Sequence, residues 1–181
     1  SQVKRVIALV IIAVVLAIML TVAGWIAIRP LGRRTLRAYC QALGAIALGG
    51  VLTLGLVSQF VISVEPWFSP RFVVPLAGMT FAGAMNAVSL AADRFRSEVS
   101  AGADYLDARR RSFRTAMIPI VNSLFAVGLV ALPGMMTGQI LAGVSPLIAA
   151  KYQIVVMTML FGATGLSAAC YLWFQRDEGV P

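Results

Sequence analysis

The chain has 181 residues, 60% of them hydrophobic and only 12% charged, with a mean hydropathy of +0.89. This apolar share, with about half the charge of an ordinary soluble domain, excludes a water-soluble fold and makes lipid the natural solvent. The net charge of +8 invites a nucleic-acid reading, but eleven of the fifteen basic residues fall on one side of the expected membrane topology. No aromatic-basic surface module accompanies them, so nucleic acid is excluded as a partner.

Taken in order, five apolar runs are expected to span the bilayer. Residues 6–28 and 38–62 would each rise roughly 35 Å as helices, and 72–92 roughly 30 Å, against a hydrocarbon core of about 30 Å. A fourth runs over 115–132. The fifth, 146–174, has a legible start, because Ser145 can cap it and Pro146 suits its first turn. The expected fold is all-α: a single polytopic transmembrane helix bundle over 1–181.

Lys and Arg counted loop by loop set the orientation. Arg29, Arg33, Arg34 and Arg37 crowd the first loop, and Arg94, Arg96, Arg109, Arg110, Arg111 and Arg114 the third, whereas the alternate loops hold only Arg71 and Lys151. The positive-inside rule places the Arg-rich loops and the Arg176 tail in the cytoplasm and the N-terminus outside, in a cell inner (plasma) membrane. Lys4 and Arg5 run against this. The chain starts at Ser1 almost directly in a span, and 6–28 exceeds the apolar core of about 7–15 residues in a signal peptide, so processing or truncation is the expectation. Cys40 and Cys170 fall near cytoplasmic span ends, where a structural disulfide is not expected.

Small residues mark close helix packing. Ala45 and Gly49 stand four apart in the second span, with Gly44, Gly50 and Gly55 thinning it further, and Gly78/Ala82 and Gly83/Ala87 repeat the spacing in the third. Packing within one subunit is favoured over a dimer interface as their use.

Polar side chains in the spans are few: Asn86, Asn122, Ser123 and Gln153, with Gln139 in a broken stretch. Each alone reads as an interhelical hydrogen bond worth about 0.6 kcal/mol. Their joint position around the break favours a pathway lining. No Asp, Glu, Lys, Arg or His lies clearly at mid-membrane, which disfavours a proton relay or charged ion site. Without histidine or an acid-base pair in the spans, an intramembrane enzyme is excluded. Met79, Met85, Met135 and Met136 read as adaptable packing rather than as thioether ligands, and no cofactor or metal site is expected.

Residues 93–114 form the longest cytoplasmic loop. Gly102 breaks it, Asp104 can cap a following helix, and Asp107 puts negative charge on that helix's first turn. This second helix should run through Arg109–Arg111 into the fourth span, with Pro119 as a kink. Such a helix joined to a span could carry a cytoplasmic push into the membrane. The arginines taken singly read as anchors meeting anionic lipid.

Between the fourth and fifth spans lies Leu132-Pro133-Gly134-Met135-Met136-Thr137-Gly138-Gln139-Ile140-Leu141-Ala142-Gly143. It is uncharged and broken by proline and glycine, and irregular backbone at such depth must be buried in protein or line a watery cavity. It is expected to be an extracytoplasmic turn or half-helix acting as a hinge or gate. The candidate pathway is therefore Met79, Asn86, Asn122, Ser123, Pro133, Gly134, Met135, Met136, Gln139 and Gln153.

The segments Ala116-Met117-Ile118-Pro119-Ile120-Val121-Asn122-Ser123, Val127 through Pro146, and Lys151-Tyr152-Gln153-Ile154-Val155-Val156-Met157 closely resemble the bacterial iron-export ABC permease family, which includes plant aluminium-tolerance membrane proteins. Pro75-Leu76-Ala77-Gly78-Met79 and Gly83-Ala84-Met85-Asn86-Ala87 resemble its upstream signature. The strong match covers roughly 75–174. The resemblance implies a permease subunit without ATPase activity of its own, two copies of which pair with separate ATPase subunits. It implies that Glu98, Gly102, Ala103, Asp104, Arg109, Arg110, Arg111 and Arg114 belong to an ATPase-coupling segment. Gly102-Ala103 resembles the dipeptide that opens this segment in the family, with Asp104-Tyr105 replacing the usual Thr-Pro. It also implies two further N-terminal spans in typical members. Iron, or another metal ion, is the implied exported substrate. A sugar nucleotide as substrate, or a non-transporting scaffold subunit, are the alternative readings.

Overall fold

Helix is the only fold that satisfies backbone polar groups within a single apolar segment in lipid. In the computed structural model, which describes residues 2–31, 35–57, 59 and 70–178, helix accounts for every regular element. The elements are α1 (Gln2–Ala27), α2 (Leu36–Ile46), α3 (Leu52–Val57), α4 (Pro70–Ser100), α5 (Tyr105–Ala126), α6 (Gly134–Leu141) and α7 (Pro146–Phe174). A π turn, Ala47–Val51, joins α2 to α3.

Among the described residues, four helices are long and apolar enough to cross a membrane: Val6–Leu31, Leu36–Val57, Val73–Ser100 and Pro146–Phe174. The last coincides with the expected fifth span, and α4 carries the third well beyond residue 92, out into the charged region. The far end of the expected second span, apart from Gln59, lies outside the described residues.

The expected fourth span, 115–132, is not a continuous crossing. Charge fills the first half of α5, and its apolar part, 115–126, rises only about 18 Å. Helix stops there because Gly128 takes a positive φ of +84° that continues no right-handed turn. The turn satisfies its own backbone: Ala126 O accepts from the N–H groups of Leu129 (3.2 Å), Val130 (2.9 Å) and Ala131 (3.1 Å), and Gly128 N–H donates to Ala131 O (3.1 Å).

The break accordingly sits earlier than expected, at 127–133. Most of the stretch expected as a turn or half-helix is the short helix α6, whose N-cap is Pro133. Gly143, at φ +88°, closes α6 in a Schellman motif: its N–H donates to Ile140 O, and Val144 N–H donates to Gln139 O, both at 3.0 Å.

α4 and α7 form the centre of the bundle. α4 packs on α1, α5 and α7, while α7 also packs on α2, α5 and α6. Small side chains allow this, since Ala77, Ala84, Ala87, Ala91, Ala163 and Ala168 are all buried. The closest approach is at the π turn. A Cβ on Gly49 would stand 2.6 Å from the Ser167 backbone nitrogen and 2.9 Å from its Cα, and one on Gly50 would stand 2.8 Å from Cδ1 of Phe81. α1 leaves Val6, Val10, Val14 and Ile18 about half exposed, as suits contact with acyl chains.

The ends carrying most arginines gather at one end of the bundle. Arg96 donates to Leu31 O there, joining α4 to the turn after α1, and Arg29 stands over the Trp25 ring at 5.8 Å. Ser89 ties α4 to α1 through Ala27 O (2.9 Å), and Tyr39 ties α2 to α1 through Thr21 O (3.2 Å).

Candidate functional site: a charged hairpin joined to a polar membrane face

The loop expected to hold a coupling element is a tight helical hairpin. α4 ends in the same motif as α6: Gly102 adopts φ +83°, its N–H donates to Val99 O (3.0 Å), and Ala103 N–H donates to Glu98 O (3.0 Å). Asp104 then caps α5 by accepting from Leu106 N–H at 3.2 Å, and Asp107 lies in the first turn, as the residue pattern predicts.

Glu98 holds the hairpin shut. Its residue surface is 6% exposed, and its carboxylate accepts from Arg94 one turn back on α4 and from Arg111 on α5 at 2.8 Å. Two cations on one buried carboxylate satisfy the rule that buried charge must be paired. Tyr105 adds a second anchor, donating to Leu172 O at the end of α7 (2.9 Å) and meeting Phe95 edge-on at 5.9 Å. The hairpin is thus joined to both central helices.

The other candidate coupling residues have distinct places. Gly102 and Asp104 are exposed and Ala103 half-buried at the hairpin tip. Arg109 is half-buried, Arg110 and Arg114 are exposed, and of these four arginines Arg111 is the one paired with an acid among the described residues.

α5 continues from this hairpin through Pro119 without interruption of the helix. Ser123 donates to Pro119 O at 2.9 Å, and Thr115 to Arg111 O at 3.0 Å. Asn86, Ser123 and Thr164 line a cavity of about 140 Å³ between α4, α5 and α7, with Pro119 and Gly83 in its wall. Asn86 and Ser123 are exposed at this cavity, and Asn122 is exposed on α5, all within apolar sequence.

A second cavity, about 330 Å³, lies between the end of α5, α6 and α7, and Met136, Gln153 and Met157 line it. Gln153 is buried, and neither its Oε1 nor that of half-buried Gln139 finds a hydrogen-bond partner among the described residues. Met79 and Met135 pack on the central core instead, while Pro133 and Gly134 sit at the start of α6. Of the candidate pathway residues, Asn86 and Ser123 line the first cavity and Met136 and Gln153 the second; Met79 and Met135 pack between helices, and Asn122, Pro133, Gly134 and Gln139 line neither cavity.

Sequence reasoning missed Thr164 and Ser167. Both are buried on α7 with hydroxyls that lack a partner among the described residues, and Thr164 faces the first cavity. Hydroxyls inside an uncharged span were the available signal. Tyr105, whose hydroxyl reaches α7, was not among the expected coupling residues.

These features define a polytopic α-helical membrane protein with a charged hairpin rigidly attached at one end. Matching the family model of UPF0014, described as an uncharacterised protein family, over residues 2–178, the chain belongs to that family. It is 34% identical over 171 residues to a UPF0014 membrane protein of Synechocystis, covering 86% of this chain and 66% of that one. It is 38% identical over 157 residues to the probable iron export permease protein FetB of Escherichia coli (77% and 60%), and 36% identical over 165 residues to the UPF0014 membrane protein STAR2 of rice (83% and 56%). The chain thus spans roughly three-fifths of the length of these relatives. No solved structure is detectably similar to it.

Proposed function

We propose that the chain is the membrane-spanning permease part of an ABC transporter that exports a metal ion such as iron, driven by ATP hydrolysis on a separate subunit. The carrying observation is the hairpin: a buried carboxylate clamps α4 to α5, and α5 runs unbroken from that clamp to the polar cavity. A push on Gly102–Arg114 would move α5 as one lever, because the Glu98 and Tyr105 contacts leave it little freedom to bend at its base. The named function of the FetB relative supports the class and the metal substrate.

In this reading the Arg-rich end and the C-terminus face the cytoplasm, the N-terminus lies outside, and two permease copies work with two ATPases in an inner or plasma membrane. Exposed Asn86 on α4 and Asn122 and Ser123 on α5 support two copies, because exposed polar side chains are costly in hydrocarbon and a second subunit or a watery path would relieve them. The turn at 127–133 and α6 act as the gate, with Met136, Gln139 and Gln153 beside it. The residues 1–181 act as one permease domain.

Reconstitution with the cognate ATPase tests the class. ATP hydrolysis should rise when the protein is present in the same liposomes, and cysteines placed along 133–145 should change reactivity with nucleotide. An ATPase that neither co-purifies nor responds would refute the assignment. Metal efflux from loaded liposomes tests the substrate separately.

A further inference from the structure

Away from the hairpin, the start of α2 and the end of α7 enclose a cleft of about 480 Å³. Arg37, in the first turn of α2, and Arg176, just past α7, both line it although they are far apart in sequence. Among the residues whose side chains are described, a set that stops at Arg176 and so leaves out Asp177 and Glu178, neither guanidinium pairs with an acid. Between them the cleft is firm: Gln175 Nε2 donates to Gln41 Oε1 at 2.9 Å, and Gln41 Nε2 donates to Phe174 O at 3.4 Å. Trp173 is 59% exposed at its rim, its ring 5.7 Å from that of Phe174.

The position decides the chemistry. The two spans begin and end here, at Leu36 and Phe174, so the cleft opens at the boundary between hydrocarbon and water. An exposed tryptophan suits headgroup depth, and each guanidinium presents a planar fork that matches phosphate oxygens. Basic pockets between spans on the positive side bind anionic headgroups. The apolar rim offers acyl chains a wall that a free phosphate ion could not use.

We propose that this cleft is a binding site for the phosphate of an anionic phospholipid, with Arg37 and Arg176 on the phosphate and Trp173 against the glycerol and upper acyl region. The site stands independently of the transport reading, since it is read out on retained lipid rather than on activity.

The test uses the whole protein in nanodiscs of phosphatidylcholine containing a minor fraction of phosphatidylglycerol, with lipid retained after detergent extraction counted by native mass spectrometry. Arg37→Gln and Arg176→Gln should each lower phosphatidylglycerol retention about fivefold, and together about 25-fold. Arg37→Lys with Arg176→Lys should restore part of it, and helix content by circular dichroism should be unchanged in all variants. Lys151→Gln, an exposed cation near the other end of α7 and outside the cleft, should have little effect. Inorganic phosphate at millimolar concentration should fail to displace the lipid. Equal losses with Lys151→Gln would reduce the effect to general surface charge and overturn the site. Displacement by inorganic phosphate would overturn the lipid as its source. Undiminished retention in the double Gln variant, with loss instead of a co-purified protein partner, would reassign the cleft to protein contact.

Discussion

Gly49→Ala is the sharpest test of how the bundle is held. The added Cβ would lie 2.6 Å from the Ser167 backbone nitrogen, where ordinary contact begins near 3.4 Å, so α7 and the π turn must part by about 0.8 Å. A gap of that size forfeits a quarter to a half of the dispersion well for each atom pair along the seam. Ala45, Ile46, Ala168 and Leu172, all buried in the same core, would share the loss. Overpacking of this kind costs about 1–3 kcal/mol, and backbone on both sides puts Gly49 at the upper end, because no rotamer change relieves it. The assay is unfolding in mild detergent, by temperature or by SDS titration. Ser167→Gly should not rescue Gly49→Ala, since the nitrogen and Cα remain. Gly55→Ala serves as a control, because its Cβ would meet nothing within 4 Å, and it should be neutral or stabilising by up to about 1 kcal/mol. A neutral Gly49→Ala, or full rescue by Ser167→Gly, would refute the backbone-contact argument.

Three further outcomes follow from the hairpin and the buried hydroxyls. Glu98→Gln should cost only about 1 kcal/mol, because Arg94 and Arg111 are roughly half exposed and can return to water. Amide exchange across 98–111 should speed up about fivefold while α7 stays protected, and coupling to an ATPase should fall more than stability does. Asp104→Ala removes the α5 cap and should cost about 1 kcal/mol, read as fraying of Leu106 and the following amides by exchange. Ser167→Ala deletes a buried hydroxyl that has no partner among the described residues, so unfolding in detergent should show stability unchanged or raised by up to about 1 kcal/mol.

Spans were legible where lipid alone sets the rule. An uncharged run after Ser145-Pro146 must be helix for about 30 Å, and α7 begins and ends as that argument requires. The fourth run misled because hydropathy has no view of backbone handedness. Val127-Gly128-Leu129-Val130-Ala131-Leu132 is apolar throughout, yet a positive φ at Gly128 and three hydrogen bonds onto Ala126 O turn it into a compact corner. Pro133, the visible breaker, is instead the cap of the next helix. The π turn was equally hidden: Ala45 and Gly49 announced close packing, but only the meetings of Gly49 with Ser167 and of Gly50 with Phe81 show why two adjacent glycines are needed.

The hairpin divides the same way. Gly102 and Asp104 carry local rules, one for leaving a helix and one for starting the next, and both act as the residue pattern predicts. Glu98 obeys no local rule alone. Arg94 lies one turn away on its own helix, but Arg111 reaches the same carboxylate only after the turn at Gly102 closes, and burial of Glu98 follows from that closure. Once closed, the carboxylate resists reopening, because parting α4 from α5 would strand a negative charge against the core unless water entered with it. A hairpin built this way transmits displacement better than it absorbs it. On the proposed lever, movement imposed at Gly102 would reach Asn86 and Ser123 through α4 and α5 together, with the Tyr105 bond to Leu172 O holding α7 as the fulcrum. Replacing Tyr105 with Phe keeps the ring against Phe95 and removes only the bond to α7. Nucleotide-dependent labelling at Ser123 should then weaken with stability changed by about 1 kcal/mol or less, and unchanged labelling would show that α7 is not the fulcrum.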